Sequence, residues 1–152
     1  MVSQMKYGWE NDLPVLEFAD RLGLQKGVDG YIYHTVPVAI YAWYRHFGDY
    51  RKTLEAVIDC GGDTDTVAAI AGALAGATVG ESGIPKDWID GIYDFPVNIT
   101  LLRKTATLLA ELVSNGSSTE RVQCFWLASI PRNLFFLLIV LGHGMRRLLP
   151  PY

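Results

Sequence analysis

One stripe of small residues constrains this chain more than any other feature of its sequence. Ala68, Gly72, Gly76 and Gly80 recur at every fourth position, and residues four apart share one face of an α-helix. A face with almost no side chains lets a neighbouring helix approach closely. The pattern therefore predicts a central, buried helix, and the glycine pair Gly61-Gly62 just before it predicts a tight turn at its start.

The remaining segments also read as helices, so the predicted fold class is all-α. The best strand candidate, Tyr31-Ile32-Tyr33, is only three residues long. No segment shows strict alternation of apolar and polar residues. The first predicted helices cover 13–22, a segment from an N-cap at Thr35 to Phe47 with Pro37 in its first turn, and a segment capped by Asp49 that runs past Ile58. They are followed by a helix over 63–77 and a short helical piece around Trp88. A long helix is predicted from Pro96 and a last helix after Pro131.

Composition sets the class of protein and its compartment. The 152 residues are 50% hydrophobic and 19% charged, which excludes a disordered chain and suits a single domain over 1–152. The formal net charge of −3 gives no basic field for nucleic acid, so no nucleic-acid partner is expected. Cys60 and Cys124 form no CxxC pair, which indicates neither a disulfide framework nor a zinc site and favours the reducing cytoplasm.

Two apolar runs raise the question of a membrane. Residues 67–79 and Leu134–Leu141 are both shorter than the roughly 20 residues that a spanning helix needs. Both are therefore predicted to be buried helices, and no membrane partner is expected. The alternative is a peripheral membrane role for the C-terminal helix, which has Arg146 and Arg147 beside the apolar run. The first twelve residues, with Lys6, Glu10 and Asp12, do not resemble a signal peptide.

The segment Gly61-Gly62-Asp63-Thr64-Asp65-Thr66 is the motif that carries chemistry. Carboxylate and hydroxyl oxygens are hard donors that suit Mg²⁺, Mn²⁺ or Ca²⁺, and Asp63, Asp65 and Thr66 can converge where a loop enters a helix. The same helix start favours bound anions. The alternative is structural: Asp63 or Asp65 simply caps the helix.

Other motifs fit less well. A calcium-binding EF-hand loop needs an oxygen donor where Val67 stands, no GxxxxGK[ST] phosphate loop occurs, and His34, His46 and His143 lack metal-ligand spacing. Asp63 to Val67 loosely fits the DxDx[TV] nucleophile motif of haloacid-dehalogenase-type phosphatases, which requires a hydrophobic strand before the first aspartate.

GGDTDT followed by the small-residue helix closely resembles the C-terminal metal motif of the ADP-ribosylglycohydrolase family. The resemblance extends upstream through Gly30–Ala39 and downstream to Ile84–Trp88, and covers 27–112 well. It implies an all-α domain with a binuclear Mg²⁺ centre that hydrolyses the bond between ADP-ribose and a protein side chain or related conjugate. It also implies that Asp63, Asp65 and Thr66 are metal ligands, that Asp63 and Asp65 are catalytic, and that Tyr31 and His34 contact substrate.

One part of the family pattern is missing. The family has a second acidic metal motif of the Thr-Asp-Asp type near its N-terminus, whereas this chain has no Asp-Asp pair. The early acids, Glu10, Asp12, Glu17 and Asp20, lie on a helix-like pattern. The chain is therefore expected to be a C-terminal half, a subunit completed by another chain or by a second copy, or an inactive ADP-ribose- or metal-binding remnant.

Overall fold

A computed structural model describes residues 2–93, 95–117, 120–123 and 126–148. Within these ranges the chain is all-α, as predicted, and its only β-type pairing is a single parallel bridge between Val28 and Gly62. The chain forms two compact units, Met1–Trp88 and Ile89–Tyr152. The helices are α1 (Val2–Glu10), α2 (Val15–Arg21), α3 (Ile32–Arg45), α4 (Tyr50–Ile58), α5 (Thr64–Val79), α6 (Lys86–Asp90), α7 (Ile99–Asn115) and α8 (Ser129–Leu148), with 3₁₀ turns at Glu81–Gly83 and Trp126–Ala128.

The core of the first unit lies where α3, α4 and α5 pack together, with α2 against α3 and α4. Phe18 and Tyr41 stack at its centre with ring centroids 4.0 Å apart, and the Tyr41 hydroxyl donates to the Leu13 carbonyl at 2.7 Å. That bond satisfies the one polar atom of a large buried side chain. The core also contains Val15, Ala19, Leu24, Val28, Val38, Ala39, Ala42, Val57, Cys60, Val67 and Ala71.

The small-residue stripe of α5 receives side chains from α4. A β-carbon placed on Gly72 would lie 3.2 Å from the Tyr50 hydroxyl, and one on Gly76 would lie 3.7 Å from the Tyr50 ring. The predicted packing role is thus confirmed at both glycines, and Gly80 ends the helix with a φ of +67°. The prediction of a buried helix is confirmed for one side only, because Val67, Ala71 and Ala75 are buried and the alanines at 69, 73 and 77 are exposed.

Several helix starts differ from the sequence prediction. The helix predicted to begin at Thr35 begins at Ile32, so two of the three strand-candidate residues are helical and Pro37 lies inside α3. The Thr35 hydroxyl bonds backward to the carbonyls of Asp29 and Tyr31, which a cap does not do. The helix predicted from Pro96 begins at Ile99 because the Asn98 side chain accepts from the Leu101 N–H, and the last helix begins before Pro131.

Helix α1 was not predicted, and Leu134–Leu141 was wrongly predicted to be buried. Each of those eight residues is between 43% and 65% exposed. Eight consecutive apolar residues point in every direction around a helix, so packing on one side cannot cover them. The segment Trp126–Leu148 is long and apolar enough to cross a membrane, by length and composition only. The second cysteine, Cys124, lies outside the described residues, whereas Cys60 is buried.

The predicted cap of α4 is confirmed, and it supports a stability prediction. Asp49 Oδ1 accepts from the Lys52 backbone N–H at 3.0 Å, and this bond lowers the pKa of Asp49. Asp49→Ala should cost about 1 kcal/mol in urea unfolding. Because the folded pKa is lowered, the ionised cap stabilises above the unfolded pKa, and this contribution declines as the pH falls through the folded value. Asp49→Asn keeps the acceptor oxygen, so it should retain most of the stability and lose the pH dependence. Equal losses in both variants would contradict the capping role.

Candidate functional site

The glycine pair places the start of α5 directly against the turn that precedes α3. Gly61 and Gly62 have φ values of +68° and +83°, a region that side chains other than glycine rarely adopt. The Val28 N–H donates to the Gly61 carbonyl at 3.0 Å, and the Asp63 N–H donates to the Val28 carbonyl at 2.6 Å. Two segments separated by more than thirty residues are therefore held together by backbone hydrogen bonds.

Gly30 brings this turn within contact of the Asp63 side chain. A β-carbon at Gly30 would lie 2.8 Å from Asp63 Oδ2, closer than real contacts allow. Any other residue at position 30 would therefore displace that carboxylate. The turn that contains Gly30 was predicted from the sequence only as a turn, and in the structure it also sets the position of the Asp63 side chain.

Asp63 stands at the N-cap position of α5 but its side chain caps no backbone N–H. Its Oδ1 instead accepts from the Thr66 hydroxyl at 2.9 Å. A hydrogen bond with the Asp63 carboxyl group, and after it one from the Thr66 N–H, hold the pKa of Asp65 below its usual value. The three residues predicted as metal ligands are thus neighbours, and the simple capping interpretation fails for Asp63.

Asp29 organises the other side of the site, and the sequence analysis did not single it out. Its Oδ1 accepts from the Tyr31 N–H at 3.1 Å and lies 2.8 Å from Nδ1 of His34. The hydrogen bond with His34 is the main cause of a lowered Asp29 pKa, so the carboxylate is ionised and Nδ1 carries the proton. Nε2 is then the ring nitrogen left for a ligand. An Asp before a glycine signals a turn, but the spacing of five to His34 carries no standard motif.

A cleft of about 750 Å³ joins these elements. It is lined by residues 23–30 together with His34, Gly62 and Asp63. Two predicted site residues, Asp63 and His34, therefore face one cleft. Asp65 and Thr66 adjoin Asp63 but do not line it, and neither does Tyr31, whose ring centroid lies 5.2 Å from that of His34 in an edge-on contact.

Asp63, Asp65 and Thr66 together form what we call the Asp63 cluster. The oxygen donors of this cluster are of the type that a hard divalent cation prefers. Two carboxyl groups and a hydroxyl lie together, and two neighbouring carboxylates gain from a cation between them. The described ranges contain no group of three or more His, Cys, Asp or Glu side chains placed to hold a metal. Asp63, Asp65 and Thr66 therefore bring together two carboxyl groups and one hydroxyl, fewer carboxylates than such a group needs.

The phosphatase alternative fails on local structure. Its nucleophile motif requires a strand before the first aspartate, and here helix α4 and a turn precede Asp63. The described residues also contain no parallel sheet on which such a site could be built.

Comparisons with known proteins identify the family of the chain. The chain matches the sequence profile of the ADP-ribosylglycohydrolase family over residues 3–121. Human ADP-ribosylhydrolase ARH3 is 39% identical over 66 residues, which are 37% of this chain and 18% of the relative. Chicken (Gallus gallus) ARH3 is 39% identical over 64 residues, 36% of this chain and 17% of the relative. The ADP-ribosyl-[dinitrogen reductase] glycohydrolase of Rhodospirillum rubrum is 35% identical over 80 residues, 53% of this chain and 26% of the relative.

The matched stretches thus span only about a sixth to a quarter of these relatives. No solved structure matches the chain. The profile nevertheless covers most of the sequence, including the glycine turn, the Asp63 cluster and the small-residue helix. The chain therefore belongs to the ADP-ribosylglycohydrolase family.

Proposed function

We propose that this chain supplies the C-terminal half of an ADP-ribosylglycohydrolase active site. The observation that carries the proposal is the placement of Asp63, whose side chain caps no helix and lines a cleft beside His34. A family member with this arrangement would hydrolyse the bond between ribose C1 and a protein side chain or small conjugate. Water oxygen bonds to C1, the glycosidic bond breaks, and the leaving atom takes the proton.

The cleft offers groups suited to an ADP-ribose ligand. Lys26 brings a positive charge that suits the diphosphate, and the Asp29–His34 pair presents a fixed imidazole to ribose hydroxyls. Tyr31 lies edge-on to His34 and is 57% exposed, so its ring is accessible to a base or sugar at the cleft margin. These roles for Tyr31 and His34 are part of the proposal.

Magnesium belongs to the same proposal, with Asp63, Asp65 and Thr66 as the residues that would hold it. When bound, such an ion orients hydroxyl groups and makes a bound water more acidic. Asp63 and Asp65 would also stabilise the positive charge that develops at C1. Since these two carboxylates form only part of a shell, the remaining ligands must come from another segment or chain.

The direct test is Mg²⁺-dependent release of ADP-ribose from a modified protein. The chain is assayed alone and with a separately produced N-terminal half of the family type, and ADP-ribose binding is measured by calorimetry. Release by the mixture supports the proposal. Binding without release in either sample identifies a non-catalytic remnant, which the incomplete ligand set also favours. If neither release nor binding of ADP-ribose is seen, both the hydrolase proposal and the remnant alternative are contradicted.

Gly30→Ala tests whether the turn positions the Asp63 carboxylate. The new β-carbon would lie 2.8 Å from Asp63 Oδ2, so the carboxylate must move. We expect Mg²⁺ affinity, measured by calorimetry, to fall several-fold with little change in urea unfolding. Gly142→Ala, at a helical glycine with open space around it, is the control and should leave affinity unchanged. Unaltered affinity in Gly30→Ala would show that this contact does not set the position of Asp63.

A further inference from the structure

Helix α8 has no buried residue, and it lies outside the part of the chain that matches the family. The family match ends at residue 121, whereas α8 covers Ser129–Leu148. The expectation of no membrane partner depended on burial of Leu134–Leu141, and all eight of those residues are exposed. This helix therefore has a large apolar surface that the catalytic proposal does not use.

The apolar side chains of α8 and the turn before it form a continuous stripe. The stripe residues recur at spacings of three and four, so they share one helix face. The helix is about 30 Å long, at 1.5 Å per residue. The stripe consists of Leu127, Ile130, Leu134, Leu138, Leu141 and Met145.

The opposite face of the helix is basic towards its two ends and apolar in the middle, where Phe136 and Val140 lie. Arg132, His143 and Arg147 fall on that side of the helical wheel, and Arg146 lies beside them. Amphipathic helices with arginine on the polar face and leucine and phenylalanine on the other lie in the interface of a bilayer. Long arginine side chains can bury their stems there while the guanidinium groups reach the headgroups.

Charge decides between a lipid surface and a second copy of the chain. From Arg121 to Tyr152 the sequence has four arginines and no aspartate or glutamate. The other 120 residues therefore carry −7, the difference between the net −3 and this +4. Pairing two such helices would bring like charges together, whereas an anionic surface attracts them.

We propose that α8 binds the surface of an anionic lipid bilayer, with its leucine stripe facing the acyl chains. The Arg146–Arg147 end adds attraction to the headgroups. The family domain would then act at a membrane surface.

The experiment is co-sedimentation of the full chain with vesicles of phosphatidylcholine, with and without phosphatidylglycerol. We expect binding to the anionic vesicles that high salt reverses. Leu138→Asp should weaken it at least tenfold, because it places a charge on the stripe. Val113→Asp, at an exposed apolar position of α7, is the matched control and should bind as the parent does. Replacing both Arg146 and Arg147 with glutamine should weaken binding to the anionic vesicles, by about fivefold for each arginine.

Circular dichroism and thermal unfolding check that each variant retains its fold. Because α8 has no buried residue, Leu138→Asp should not shift unfolding of the first unit. No sedimentation of the folded parent with either vesicle would overturn the proposal. Equal, salt-resistant binding to neutral vesicles would indicate a spanning helix and also overturn it. The proposal would also be overturned if the chain formed a dimer without lipid and Leu138→Asp dissociated that dimer.

Discussion

Gly62→Ala should lower the free energy of unfolding by about 4 kcal/mol. The residue has a φ of +83°, and a left-handed conformation costs an alanine about 1–2 kcal/mol. The added β-carbon would also collide with the backbone carbonyl of Val28 and lie 2.6 Å from its nitrogen. The two backbone hydrogen bonds that join this segment to Val28 would be lost, at about 1 kcal/mol each.

Gly61→Ala is the matched control for this prediction. Gly61 also has a positive φ, of +68°, but a β-carbon there would meet nothing within 4 Å. It should therefore show only the backbone cost, about 1–2 kcal/mol. Urea unfolding followed by far-UV circular dichroism measures both variants. If the two lose equal stability, then the close approach of Val28 and Gly62 does not hold the site together.

These glycines show how far the sequence could predict the fold. The Gly61-Gly62 pair, the Asp49 cap and the small-residue stripe carry local signals, since each follows from the conformational freedom or hydrogen bonding of a few residues. The pairing of Val28 with Gly62 does not, because it joins two turns that are remote in the chain. The start of α3 was misplaced because Thr35 bonds backward to Asp29, and that carbonyl belongs to the same remote arrangement.

In the candidate site, too, the sequence predicted the features that depend on neighbouring residues and missed those that depend on remote ones. Asp63, Asp65 and Thr66 are close in sequence, so their spacing was enough to predict that they cluster. Asp29 could not be found in this manner, because its bond to His34 depends on the turn before α3. Exposure of α8 was missed for another reason. An apolar run predicts burial only where a partner surface covers it, and the sequence does not say what that surface is.

Asp63→Asn should lower the affinity of the full chain for Mg²⁺ at least tenfold, as measured by calorimetry. The substitution keeps the size of the side chain and its oxygen toward Thr66 but removes one of the two neighbouring carboxyl groups proposed to hold the cation. A tenfold loss corresponds to about 1.4 kcal/mol, which is modest for a carboxylate ligand. Asp65→Asn should have a similar effect, and Thr66→Val a smaller one.

Asp59→Asn provides the control for charge at a distance. Asp59 lies at the end of α4, four residues before Asp63, and this substitution also removes one carboxyl group. It should alter Mg²⁺ affinity by less than about twofold, because solvent and salt screen exposed charges. Since the Asp63 side chain caps no backbone group, Asp63→Asn should also keep the helical circular dichroism and the unfolding midpoint of the parent. Loss of the α5 helix in that variant, with metal affinity unchanged, would assign Asp63 a structural role instead. The two measurements together therefore separate a ligand from a cap, which sequence spacing alone could not do.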